Sequence, residues 1–462
     1  MPLPAKPLAH WRAELAAGRT TSRELTEMVL DAASTGSEAA ATFITVHAAG
    51  ARATAEAVDL QRAAGVPLPP LAGIPISIKD LFDEAGQVTR AGSRVLAGAA
   101  PAAADSPVLQ RLRAAGAVIV GRTNMTEFAY SGLGLNPHYG TPRNPWDRDC
   151  GGGTGRIPGG SSSGAAVSVS DGMAAAAIGT DTGGSVRIPA ALCGLTGFKP
   201  TARHVPITGV LPLSPTLDSI GPLAHSVACC ALLYEVLAGD PIAGATPLRP
   251  AALAGLSLAL PTTLVFDGVD ATVATAFEAA CRGLSAAGVR IVEIDMPEFN
   301  ELSNINRLGG FAAAEAWAWH APLLARAEAG YDPRVAVRIR RGAGMSAAEY
   351  LALQADRRRW IAAVRQRLAD TNAFTMILPT VPVVAPAIAP LQASDALYGS
   401  NNMLILRNPS IINFLDGCAL SLPCHAPGTA PVGLMLAAVA GHDARLLAIG
   451  AAVELILAAT LK

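Results

Sequence analysis

Glycine, proline, asparagine and serine crowd residues 131–165, and glycine and proline return from 180 to 200. Such residues punctuate helices and strands, and long loops inside compact domains tend to be functional. The chain must therefore place its regular elements around two stretches that cannot themselves be regular. What surrounds them is apolar, at 51% hydrophobic and 15% charged residues. That composition buries a large core and excludes disorder.

The flanking elements read as α/β. Ile74, Ile76 and Ile78 alternate with Pro75 and Ser77, the pattern of a strand running into Lys79. A helical stretch from Pro107 to Ala115 and the apolar run Ala117–Val120 follow, an α-then-β rhythm. The small-residue stretch Ala165–Ala177 reads as helix-like. Upstream, Thr21 and Glu24 form a capping-box pattern ahead of Leu25, Met28, Val29 and Ala32 at helical spacing, so residues 1–60 read as helical. Residues 231–375 are more helical and more charged. From 376 the chain returns to core-like strands, with apolar runs at Thr375–Pro379, Ala419–Pro423 and Pro431–Met435. No internal repeat is visible.

Several function classes drop out. A net charge of -1 offers nothing to a polyanion or an anionic membrane surface. The seven cysteines are scattered and form no CxxC pair, which argues against a disulfide framework and for a reducing compartment. Neither they nor the eight histidines have metal-ligand spacing, and the neighbours Cys424 and His425 are an ordinary pair. No secretory h-region and no run of ~18 apolar residues is present. The expectation is a soluble cytoplasmic protein that uses no metal or organic cofactor, does not bind nucleic acid directly and does not enter a membrane.

Three segments carry chemistry. They are Gly73-Ile-Pro-Ile-Ser-Ile-Lys79-Asp80, Pro158-Gly-Gly-Ser161-Ser-Ser-Gly164 and Gly179-Thr-Asp-Thr-Gly-Gly-Ser185-Val-Arg187-Ile-Pro189. Each alone has a bland reading: a snorkelling lysine, a flexible turn, a phosphate loop. A phosphate loop requires GxxxxGK, and residues 151–164 hold no lysine. Together the segments fit one mechanism. Serine is a poor nucleophile until a base takes its proton, and lysine can be that base when desolvation lowers its pKa. The backbone N–H groups of Thr182-Gly183-Gly184-Ser185 could converge on an oxyanion.

The segments resemble the amidase signature family, whose pattern has a lysine after a strand, a GGSS turn and a G-S/T-D-x-G-G-S-I/V-R-x-P block. The family's two serines lie 24 apart, as 185 − 161 = 24 does here. The resemblance implies that Ser185 is the nucleophile, Ser161 a bridging serine after a cis peptide from Gly160, and Lys79 the terminal base. It implies an oxyanion hole from the amides of Thr182, Gly183, Gly184 and Ser185. Asn124–Gly132, Gly140–Asp147, Gly194–Thr201, Leu217–Pro222, Ala430–Met435 and Gly441–Leu447 extend the likeness over most of the chain. The implied fold is a large mixed β-sheet with helices on both faces. It forms one amidase domain over 1–462, with its signature core at 61–230 and a helical cap from the variable region near the pocket.

Two departures stand out. The turn reads GGSSSG rather than GGSSGG, and Cys150–Arg156 looks like a glycine-rich insertion, either a spacer or a change at the pocket mouth. Asp181 and Arg187 bracket the nucleophile loop and read as its scaffold. Tyr130 and Ser131 are pocket candidates. Arg338 reads as a surface arginine, with an anionic substrate as the alternative.

The expected function is a free-standing hydrolase of linear carboxamides acting on a small molecule. The alternative is the amidase component of a tRNA-dependent amidotransferase, which would release ammonia from glutamine. Leu81-Phe82-Asp83 and Asn401–Ser410 look more like stand-alone or biuret-type amidases. Neither the substrate nor the oligomeric state is written in the residues; for the latter a homodimer is the guess.

Overall fold

Strands that read as nearly unbroken apolar runs must be covered on both faces, and that is how the sheet is built. The computed structural model describes residues 2–240, 243–244 and 246–460. Its strands are β1 (Phe43–Val46), β2 (Pro75–Lys79), β3 (Val118–Thr123), β4 (Ala176–Asp181), β5 (Thr196–Lys199), β6 (Ser219–Ala224), β7 (Ser257–Pro261), β8 (Arg290–Ile294), β9 (Thr375–Pro379), β10 (Cys418–Pro423) and β11 (Gly433–Ala438). They form one sheet in the order β1-β3-β2-β4-β6-β5-β10-β11-β9-β7-β8. β2 runs parallel to both β3 and β4, whereas β4/β6, β5/β6, β5/β10, β10/β11 and β11/β9 are antiparallel. The sheet is mixed, as expected.

Successive side chains on a strand point to opposite faces, and the core divides accordingly. Leu434, Leu436 and Ala438 of β11 join one apolar cluster, with Leu420 and Leu422 of β10 and Leu446, Leu447 and Val453 of the C-terminal helix Asp443–Thr460. Met435 and Ala437, between them in sequence, join another with Phe311, Trp360 and Phe414. Helices therefore cover both faces. None of the helices among the described residues is long and apolar enough to cross a membrane.

At the N-terminus the capping box forms as read. Thr21 accepts from the Glu24 amide, Glu24 reaches back to Thr21, and Leu25 and Val29 are buried on the helix Ser22–Thr35 that follows. Three strands depart from the sequence reading. β1 is a four-residue edge strand inside the helical N-terminal stretch, too short to show a period. β7 and β8 lie within 231–375, and β8 has Arg290 and Glu293 exposed at the sheet edge, which masks its apolar alternation. The Ala165–Ala177 stretch is also split. The helix spans Ser163–Ser170, and β4 begins at Ala176.

Candidate active site

β2 and β4 are parallel neighbours, so their carboxyl ends lie side by side and deliver Lys79 next to Thr180 and Asp181. Sites in open α/β sheets form outside such strand ends. The chain leaves β4 through Thr182-Gly183-Gly184-Ser185 into the helix Arg187–Leu192. The second serine turn precedes the helix Ser163–Ser170, and its Gly160–Ser161 peptide is cis, as the resemblance implied. Ser162 stitches the two loops, with its amide donating to the Ser185 carbonyl at 3.3 Å.

Lys79 and Ser161 are fully buried, and Lys79 Nζ lies 2.7 Å from Ser161 Oγ and 2.8 Å from Thr180 Oγ1. Burial strips water from the ammonium and lowers the Lys79 pKa from 10.5 to about 7, against the opposing pull of Asp218 and Asp181. A substantial fraction of this lysine is therefore uncharged at neutral pH and able to accept a proton. Ser185 is at the wall of a cavity of about 570 Å³ that Thr182 and Gly183 also line. Neither Lys79 nor Ser161 lines that cavity.

The loop around Ser185 is held by a buried ion pair. Arg187 Nη2 lies 2.8 Å from Asp181 Oδ1, and neither side chain reaches solvent. The Asp181 carboxylate also accepts from the amides of Gly184 at 2.9 Å and Val186 at 3.1 Å. Asn413 donates to the Asp181 side chain at 2.9 Å and receives Arg187 Nη2 at 2.6 Å. The Arg187 guanidinium holds Asp181 well below the usual carboxylate range. Neither residue lines the cavity, in line with a scaffold rather than a substrate-binding position. This geometry corrects one detail of the expected oxyanion hole. The Gly184 amide is turned onto Asp181, while the amides of Thr182, Gly183 and Ser185 make no hydrogen bond among the described residues.

Gly184 sits at φ +125, where a Cβ would come 2.5 Å from Pro409 Cβ. A Cβ on Gly160 would meet the Gly134 amide nitrogen at 2.6 Å. Both loops can approach their neighbours only as glycine.

Tyr130 and Ser131 line the cavity. Ser131 Oγ donates to Asn402 Oδ1 at 2.8 Å. Arg338 is neither a free surface group nor in the cavity wall. It donates to the Tyr130 carbonyl at 3.0 Å and stacks 4.8 Å over the Tyr398 ring. The glycine-rich insertion lies outside the cavity wall too; Arg156 pins it through Asp147 and the Ala385 carbonyl. The helices Glu298–Ile305 and Gly310–Ala327 line the cavity, contributing Phe299, Leu302 and Phe311.

Sequence reasoning missed Thr180, Asp218 and Asn413. Thr182 Oγ1 donates to Asp218 Oδ1 at 2.5 Å, and desolvation pushes Asp218 up to about 7. Thr180 is legible in retrospect as the β4 residue beside Lys79. Asn413 lies 232 residues from its partner Asp181, and only the fold brings them together.

Known proteins resemble this chain over most of its length. The family model Amidase matches residues 24–447. The 2-amino-5-chloromuconic acid deaminase of Comamonas testosteroni is 37% identical over 413 residues, covering 89% of this chain and 87% of that one. A glutamyl-tRNA(Gln) amidotransferase subunit from Chloroflexus aggregans (strain MD-66 / DSM 9485) is 35% identical, covering 95% of this chain and 94% of that one. A crystal structure of an amidase superposes with a TM-score of 0.85 at 29% identity, covering 99% of this chain and 100% of that one. The match to this family model over residues 24–447, together with relatives 35–37% identical over most of their length, places the chain in the amidase family, as a hydrolase of amide C–N bonds.

Proposed function

We propose that the chain hydrolyses linear carboxamides of small molecules through an acyl-enzyme on Ser185. The observation that carries this reading is the buried contact between Lys79 and Ser161, beside a Ser185 that faces the cavity. With Lys79 uncharged, that contact reverses: Ser161 donates its proton to Nζ and takes the proton of Ser185. Ser185 Oγ attacks the amide carbonyl, and the C=O electrons move onto oxygen, where the amides of Thr182, Gly183 and Ser185 receive the charge. Preorganised donors of this kind are commonly worth about 3–4 kcal/mol each. The tetrahedral centre collapses, the C–N bond breaks, and the relay returns the proton to the departing nitrogen. Water then attacks the acyl carbonyl, giving its proton to the relay, and Ser185 is released with the carboxylic acid.

Asp181 and Arg187 act as positioning residues, since they hold the amides of Gly184 and Val186 rather than facing the cavity. The test is product release by the purified chain alone on aliphatic amides, anilides, biuret-like compounds and glutamine, with Ser185→Ala as control. Turnover lost in the variant supports the reading. Turnover retained in it contradicts the reading.

Similarity to the amidotransferase relative over 95% of the chain favours a second reading, in which the same chemistry frees ammonia for a partner. Silence of the isolated chain on the whole panel, with activity only beside partner proteins and charged tRNA, would select it.

A further inference from the structure

The cavity beside Ser185 has an unbalanced charge. Its wall is mostly apolar, and among the described residues lining it there are two arginines and no aspartate or glutamate. Uncompensated positive charge in a low-dielectric cleft draws an anion.

The two arginines differ in availability. Arg407 is committed to the protein: its guanidinium donates to the carbonyls of Asp267 and Val265 and to Asn408 Oδ1. Arg341 is exposed, and its guanidinium makes no hydrogen bond or ion pair among the described residues. Its side chain passes Gly309, with Nε 3.9 Å from where a Gly309 Cβ would stand. Gly309 and Gly310 line the cavity with it. Tyr130 lines the same cavity. Its hydroxyl makes no hydrogen bond among the described residues, and desolvation pushes its pKa up to about 12, so it stays a donor.

We infer that the amide this enzyme cleaves carries an anionic group, a carboxylate in the simplest case, which Arg341 receives with the Tyr130 hydroxyl as a second donor. The inference rests on the amide-hydrolase reading and adds the substrate class. The apolar wall takes the carbon chain between the two ends. Arg341 sits at the cavity and Ser185 at its reacting wall, so the substrate is bifunctional: an amide at one end, an anion at the other. An arginine holds a carboxylate through two parallel N–H donors, a fit that a glutamine cannot reproduce.

The test uses the monoamides of a homologous series of straight-chain dicarboxylic acids, each paired with the ω-hydroxy amide of the same length. Ammonia release gives kcat/KM for each. The wild type prefers the carboxylate at the best-fitting length. Arg341→Gln cuts that preference by about tenfold to a hundredfold, the range of one charged hydrogen-bonding group, with the change in KM. Arg341→Glu turns the preference toward ω-amino amides. Equal turnover of the two members of each pair by the wild type, or a preference that survives Arg341→Gln, overturns the inference while leaving the hydrolase reading intact. Should the wild type cleave neither member, the hydrolase reading fails for these amides, and calorimetric binding of the same carboxylates to Ser185→Ala and to Ser185→Ala/Arg341→Gln decides. Binding lost with Arg341 supports the anion site, and binding indifferent to it overturns the inference.

Discussion

Lys79 Nζ and Ser161 Oγ lie 2.7 Å apart with both side chains sealed from solvent. A lysine held this way works as a base only without its proton. Burial lowers its pKa to about 7, so protonation silences it below that value and deprotonation frees it above. We expect kcat/KM to fall as pH drops through about 7 and to level off on the alkaline side. Lys79→Met, of similar length but without the amine, should lower kcat/KM by at least about 10²–10⁴-fold, the usual worth of a general base. A pH–rate profile with no break near 7 would contradict the assignment.

Burial sets where that break falls, and Asp218 opposes it. Its carboxylate favours the charged form of Lys79, and it accepts from Thr182 Oγ1 and from the amides of Leu213 and Ser214. Asp218 itself ionises at about 7, so its charge is present chiefly on the alkaline side of the break; Asp218→Asn keeps an acceptor and removes that charge, so the upper part of the acid limb should move to lower pH. A limb that moves upward would show that Asp218 does not act on Lys79 electrostatically.

Arg187→Ala leaves Asp181 buried without its counter-ion. Breaking one partner of a buried pair typically costs about 3–5 kcal/mol, and this guanidinium also holds Asn413 and the Pro409 carbonyl. Urea unfolding should show a loss of that size. A loss under about 1 kcal/mol would mean that water or another cation replaces the arginine.

Gly184→Ala places a methyl group 2.5 Å from Pro409 Cβ and 2.7 Å from Ile188 Cδ1, at a φ that side chains rarely adopt. The loop must shift, carrying the amides of Gly183 and Ser185 with it. Activity should fall far more than stability, because a displaced donor loses its aim at the reacting oxygen before the core is disturbed. Thermal unfolding together with kcat on one amide separates the two effects.

The chemistry of this site is legible in the sequence because it sits in short segments. The strand before Lys79, the turn at Ser161 and the block around Ser185 each encode their own geometry. The N-terminal capping box and the strands β9, β10 and β11 are readable for the same local reason. What stays hidden depends on the fold. Asp218 and Asn413 acquire meaning only when β6 and the 395–414 helix come against the Ser185 loop. Glycine-rich backbone reads as free to face an oxyanion, but the Gly184 amide is not; a buried carboxylate three residues back claims it. β8 is hard to read because an edge strand tolerates charge on its open face.

The most direct test of the central claim is the site of covalent modification. After incubation with a fluorophosphonate, intact mass and peptide mapping should show a single adduct on Ser185, absent in Ser185→Ala and slow to form in Lys79→Met. An adduct on another residue, or amide hydrolysis that persists with Ser185 fully blocked, would contradict the account.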